Sequence, residues 1–239
     1  MNNLHIPNPR IAFWGTSRFS VFVLEEMAQN NTLPLLIITA PPKPKGRGLE
    51  LAPSEVKVWA DAHGIQTLEP TEIKSEEFLN ALKKIGAWDV FVVASYGKII
   101  PRMIIDLPAH GTLNVPPSLL PLLRGPSPLQ SASLENVPVG DPHETGVSIM
   151  LIDEQVDHGD IVAQEKITIS NWPPKESELE ETLGKAGGKL LTRIIPTWIA
   201  GTITPKPQDH TCATFSKKIS KQDAEIDLFG DVAQNYRKI

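Results

Sequence analysis

With 239 residues, 41% of them hydrophobic and 21% charged, the chain has the make-up of a soluble globular protein holding one large domain plus an appendage, or two small domains. A net charge of −5 and a pI near 5.7 argue against a freestanding nucleic-acid-binding surface, which must neutralise phosphates and leaves a basic footprint. The lone Cys212 excludes an internal disulfide framework, the scattered histidines offer no zinc spacing, and no window approaches the ~18 unbroken apolar residues of a membrane span. The segment Met1-Asn2-Asn3-Leu4-His5 lacks a charged-then-apolar signal pattern, so a cytoplasmic location is expected. Without such a signal, the glycosylation match at Asn30-Asn31-Thr32 means nothing.

In chain order, residues 10–15 form a short apolar run ending at Gly15, as a buried strand does. Thr16 and Ser17 can cap a following helix that carries Phe19, Val23, Leu24 and Met27 at helical spacing. A second apolar run, 35–40, stops at Pro41-Pro42, and strand, helix, strand opens a doubly wound sheet. The prolines and glycines of 41–52 predict an irregular loop. Pro53, in a first-turn position, opens a helix through about Ala62. Ser75 caps another, with Phe78, Leu79 and Leu82 on one face. Residues 88–94 give the strongest buried-strand pattern in the chain, and a short helix is expected over 99–105. The next strand, 111–115, delivers Asn114 at its carboxyl end. After a proline-framed loop come a short helix over 128–134, strands at 144–152 and 161–170 pairing across the 153–160 turn, and a long helix from Glu176 to about Thr197. Beyond Gly201 the polar, proline-bearing sequence predicts a linker wrapping the surface.

Several motifs carry chemistry or its absence. Gly15-Thr16-Ser17-Arg18-Phe19 sits where a dinucleotide fold places its fingerprint, but only one of the three glycines is present, which speaks against a nicotinamide or flavin enzyme. Lys43, Lys45 and Arg47 lie on a glycine-flanked loop that suits either a phosphate groove or bulk solvent. Asn114 and Asp157 can converge at the carboxyl end of an open sheet, where such folds place their ligands. From residue type and spacing alone, both also suit structural turns. His158 and His110 read the same two ways.

The run Gly111-Thr112-Leu113-Asn114-Val115, then Ser118-Leu119-Leu120-Pro121, Arg124-Gly125, Gln130, Glu144-Thr145-Gly146-Val147 and Asp157-x-Gly159-Asp160, resembles the methionyl-tRNA formyltransferase family. Phe13, Gly15 and Thr16, then Pro44, Gly46, Arg47 and Gly48, Tyr96-Gly97, and the tail from Lys218-Ile219-Ser220-Lys221 to Asp227 extend the likeness over nearly the whole chain. The resemblance implies an α/β, Rossmann-like formyltransferase fold with a mostly parallel, doubly wound sheet. Residues 1–204 would be the catalytic domain and 205–239 a linker, with no second β-barrel domain in this chain. It implies transfer of a formyl group from 10-formyltetrahydrofolate, with no metal, to the amine of methionyl initiator tRNA. Asn114 would be the oxyanion donor and Asp157 would orient groups or manage the proton. Ser118, Leu119, Leu120 and Pro121 would line the folate site, and Arg47 would grip the tRNA. Two departures stand out. Pro116 occupies the family's histidine position and supplies neither a titratable group nor a donor. The family's basic barrel is missing too, and Leu49-Glu50 replace its lysines after Gly48, so tRNA binding is expected to be weak and catalysis impaired unless His158 or His110 turns inward. The rivals are a formyltransferase for another amine, such as an amino sugar nucleotide or a small phosphorylated amine, and a folate binder without catalysis.

Overall fold

The computed structural model describes residues 9–46, 49–135, 144–236 and 238. Its first half runs β1 (Ile11–Gly15), α1 (Arg18–Gln29), β2 (Leu36–Ile38), β3 (Lys43–Lys45), β4 (Glu50–Ala52), α2 (Glu55–Ala62), β5 (Thr67–Leu68), α3 (Glu76–Ile85) and β6 (Val90–Ala94). The second half runs α4 (Arg102–Ile105), β7 (Thr112–Asn114), α5 (Pro128–Glu135), β8 (Glu144–Leu151), β9 (Ile161–Thr168), α6 (Glu176–Ile199) and α7 (Val232–Tyr236). One seven-stranded sheet has the order β5-β2-β1-β6-β7-β8-β9. The strands from β5 to β7 pair parallel, and β8 and β9 add on antiparallel. This is the α/β, mostly parallel, doubly wound sheet that the alternation of strands and helices predicts.

The central strands are buried on both faces, and that explains their unbroken apolar sequences. Along β1, Ile11 and Phe13 pack in one cluster with α1, α2 and α6, while Ala12 and Trp14 pack in a second with α3 and α4. Successive side chains of a strand point to opposite faces, so the run Ile-Ala-Phe-Trp feeds two cores at once. Helix α6 lies so close to its neighbours that only glycine fits at three positions. A Cβ would come within 2.7 Å of Phe22 Cβ at Gly184, 2.7 Å of Val115 Cγ1 at Gly187, and 2.6 Å of Glu26 Cβ at Gly188. Gly187 therefore packs directly behind the strand end that carries Asn114.

Three elements differ from the sequence-based expectation. Residues 41–52 are not irregular throughout: β3 and β4 form a small antiparallel ladder, Lys43 opposite Ala52. Proline is tolerated there because an isolated two-stranded edge leaves backbone N–H groups facing solvent. Pro53 lies outside α2, since Ser54 is the N-cap and accepts from the Lys57 N–H at 3.0 Å. The helix expected over 99–105 starts only at Arg102, after Pro101. The segment from Lys206 to Ser216, expected to wrap the surface, is hydrogen-bonded to the domain. Lys206 exchanges both backbone bonds with Ile161, and Arg124 is bridged to the strip around Phe215. No second domain follows among the described residues, and none of their helices is long and apolar enough to cross a membrane.

Candidate active site

A cavity of about 630 Å³ opens at the carboxyl ends of β1, β6 and β7. Ser17 and Phe19 form one wall, residues 95–100 a second, 114–117 the floor, and 152–157 the opposite side. The strand ends are tied across it: Ser17 Oγ donates to Ser95 Oγ at 2.8 Å, and Thr16 Oγ1 donates to the Tyr96 carbonyl at 3.1 Å. The two residues expected to cap α1 are thus spent on joining β1 to β6, and Ser17 makes no side-chain capping bond. Glu180 of α6 accepts from the Phe19 N–H at 2.9 Å instead.

Asn114 and Asp157, far apart in sequence, meet here. Asn114 Nδ2 donates to Asp157 Oδ1 at 3.0 Å, and the Gly125 N–H donates to Asp157 Oδ2 at 2.8 Å. Burial raises the Asp157 carboxyl above its ordinary value, against the lowering effects of the Gly125 and Asn114 bonds and the nearby Arg124 charge. Asp157 itself is held at φ +52°, in the left-handed region that few side chains other than Asn and Asp adopt. Its turn is wedged against β8, because a Cβ at Gly159 would lie 2.0 Å from the Leu151 carbonyl oxygen.

Position 116 falls on the same wall. The Ser148 N–H donates to the Pro116 carbonyl at 3.2 Å, which extends the β7–β8 ladder past its last paired residues. Side chains two apart on an extended strand share a face, so residues 114 and 116 both present to the cavity about 7 Å apart. Pro116 is buried and lines the floor, where it offers only carbon.

Neither spare histidine reaches this floor. His158 does not line the cavity; its Nδ1 pairs with Asp153 Oδ2 at 2.6 Å, and its ring stacks on His210 with centroids 4.1 Å apart. His110 precedes β7 at the strand's opposite end, roughly 13 Å of extended chain from Asn114. Ser118, Leu119, Leu120 and Pro121 are not on the cavity wall either. They brace β8 and β9 from behind: Ser148 Oγ donates to the Ser118 carbonyl at 2.7 Å and accepts from the Leu120 N–H at 3.1 Å, and Gln164 Nε2 donates to the Leu120 carbonyl at 2.8 Å. Arg47 lies outside the described residues.

Composition and spacing gave Gly125, Tyr96, Glu180 and Gln208 no role. Tyr96 is buried on the cavity wall with no partner for its hydroxyl among the described residues, and burial pushes that hydroxyl up to about 12. The lining is acid-rich. Asp153, Glu154, Asp157, Glu176 and Glu180 face a single lysine, Lys98, whose Nζ is engaged by the Pro70 and Thr71 carbonyls. No group of three or more His, Cys, Asp and Glu suited to a metal occurs among the described residues.

An open, mostly parallel sheet with an amide and a buried carboxylate converging at its carboxyl edge is a setting for group transfer. Residues 9–195 match the profile described as formyl transferase, and the chain belongs to that family of transferases. Relatives that match most of the chain include methionyl-tRNA formyltransferases. The one from Sulfurihydrogenibium sp. is 37% identical over 96% of this chain and 72% of its own length. The one from Thermus thermophilus is 38% identical over 94% of this chain and 70% of its own. Among solved structures, the N-formyltransferase from Helicobacter canadensis, in complex with folinic acid and dTDP-3-aminofucose, aligns with a TM-score of 0.63 at 17% identity. That alignment covers 97% of this chain and 79% of the other.

Proposed function

We propose that the chain transfers a formyl group from 10-formyltetrahydrofolate to the amino group of methionine on initiator tRNA, slowly because of Pro116. The observation that carries this reading is the Asn114–Asp157 contact on the cavity floor. In the reaction the amine attacks the formyl carbon, charge grows on the formyl oxygen, the bond to the folate nitrogen breaks, and the amine's proton passes to that nitrogen. Asn114 has two amide hydrogens: one is held by Asp157, and the other is free to meet the developing oxyanion. Asp157, its carboxyl raised by burial, is suited to take a proton from the attacking amine and release it. The imidazole that would share this work is replaced by carbon, at an expected cost of ~10²–10⁴ in rate.

The folate would lie along residues 95–100 and 152–157, in a cavity of ordinary size for such a ligand. The family's folate segment, Ser118 to Pro121, would then act by bracing the floor. Charge separates the acceptors. Five carboxylates in the lining favour a protonated amine and disfavour phosphates at the reacting end. A methionyl-tRNA presents its amine far from most of its phosphates, whereas an amino sugar nucleotide or a small phosphorylated amine brings both into the cavity. With a net charge of −5, this chain by itself would hold tRNA weakly, Arg47 being its loop contact, and it would work in the cytoplasm.

The test offers 10-formyltetrahydrofolate with methionyl initiator tRNA, an amino sugar nucleotide, or a phosphorylated amine in parallel. Slow transfer to the tRNA alone is expected. Transfer to either phosphorylated small molecule but not to the tRNA would overturn the acceptor. Tight folate binding with no transfer, even after Pro116→His, would make the protein a binder.

A further inference from the structure

The segment after α6, expected to be a surface linker, contributes a buried side chain that holds the Asp157 turn. Gln208 is 5% exposed. Its Nε2 donates to the Asp157 carbonyl at 3.0 Å and to the Gly159 carbonyl at 2.7 Å. Its Oε1 accepts from Arg124 twice, from Nε at 3.1 Å and from the terminal nitrogen at 2.6 Å. Arg124 is 4% exposed, and none of its bonds goes to a carboxylate among the described residues. The same terminal nitrogen donates to His210 Nδ1 at 2.9 Å. One amide therefore uses all its main valences to join a buried cation to the turn that presents the carboxylate.

We infer that Gln208 is a positioning residue for the formyl-transfer site, fixing Asp157 through its backbone and through Arg124. The physical case rests on geometry. A residue at φ +52° relaxes toward ordinary backbone unless its surroundings hold it there. The side chain of Asp157 is held by Asn114 and Gly125, but its carbonyl and that of Gly159 are held by Gln208. Removing the amide frees two buried carbonyls and leaves the guanidinium with His210 alone, so the turn and the cation both move. The titratable and charged groups around the turn are Arg124 on the loop before α5, Asp153, Glu154, His158 and Asp160 flanking Asp157 itself, and His210 on the strap. Moving Arg124 away weakens its hold on the Asp157 charge. The strap, residues 206–216, would accordingly be part of the active domain rather than a tether.

The role of Gln208 rests on the proposed function for its consequence in rate but not for its consequence in Asp157, so two readouts separate them. The first is the carbon-13 NMR titration of the Asp157 side-chain carboxyl, assigned with Asp157→Asn and run without any substrate. Gln208→Met keeps the size and removes both halves of the interaction; Gln208→Glu keeps the acceptor for Arg124 and removes the donor to the two carbonyls. Gln208→Met, which releases Arg124, should move the Asp157 midpoint upward while thermal denaturation of both variants still shows a cooperative fold. The second is turnover in the Pro116→His background, where kcat should fall by ~10² with a much smaller change in folate KM, as expected for misplacement of a reacting group. An unshifted midpoint in folded Gln208→Met, or unchanged turnover in both folded variants, would overturn the positioning role. A shifted midpoint in a protein that transfers nothing would keep that role and count against formyl transfer.

Discussion

Pro116→His tests the reading of the site most directly, and both of its effects can be worked from the fold. Residue 116 faces Ser148 two steps beyond the Asn114–Met150 pair, and its carbonyl already accepts from the Ser148 N–H. In such an antiparallel pair each residue normally gives and receives a bond, and proline can only receive. Histidine restores the donor, so the substitution should add roughly 1 kcal/mol from one ladder bond. For a chain of this size that is a rise of about 2–4 °C in Tm. The side chain points to the face shared with Asn114, so the new imidazole enters the cavity rather than the core. Recovering an acid–base or oxyanion group is worth ~10²–10⁴ in rate, or roughly 2.7–5.4 kcal/mol of barrier. The assay is single-turnover formylation of methionyl initiator tRNA, with folate affinity and Tm measured on the same preparation. A folded variant that binds folate as the parent does and transfers no faster would refute the assignment of position 116.

In the same Pro116→His background, Asn114→Ala should lose ~10²–10³ in kcat with folate affinity largely kept, as is usual when one oxyanion donor is removed; equal losses in binding and rate would point to a structural amide. Asp157→Asn should abolish transfer and change how stability depends on pH. Burial raises this carboxyl, so the folded state binds its proton more tightly than the unfolded chain, and stability is lost as pH rises above the ordinary carboxylate range. The amide does not titrate, so its stability relative to the parent should be greater at pH 7 than in acid; urea denaturation at both pH values reads the sign, and a gap that runs the other way contradicts it. Gly159→Ala places a Cβ 2.0 Å from the Leu151 carbonyl oxygen. It should cost about 1–3 kcal/mol and lower transfer, so a variant with unchanged Tm would mean the turn does not press on β8 as described.

Much of the fold was legible because it is local. The runs at 10–15 and 88–94 are apolar throughout, as strands covered on both faces must be, and Ser75 does cap α3, accepting from the Phe78 N–H at 3.2 Å. The 144–152 and 161–170 segments pair as expected, with Glu144 opposite Thr168. The misreadings came from proline. At 41–52 a rule about breaking regular structure met a two-stranded ladder with free edges, and at Pro53 a helix-start rule lost to the better cap one residue later. The meeting of Asn114 and Asp157 was legible only through the family resemblance, since both are also good turn residues. The roles of Gly125, Arg124 and Gln208 were illegible for a different reason. Their side-chain partners lie 32 to 86 residues away, and no periodicity marks a bond of that reach.

Gly187 gives the molecule a property that belongs to neither the helix nor the strand alone. With α6 pressed against Val115 at the distance of a missing methyl, the back of the sheet and the floor of the cavity form one incompressible stack, helix axis to reacting edge. Such a stack cannot be edited in parts. Anyone transplanting this amide and carboxylate onto another scaffold would have to carry the glycine face of α6 with them, and any repacking of that helix for stability would be read out, one layer away, as a change in where Asn114 sits.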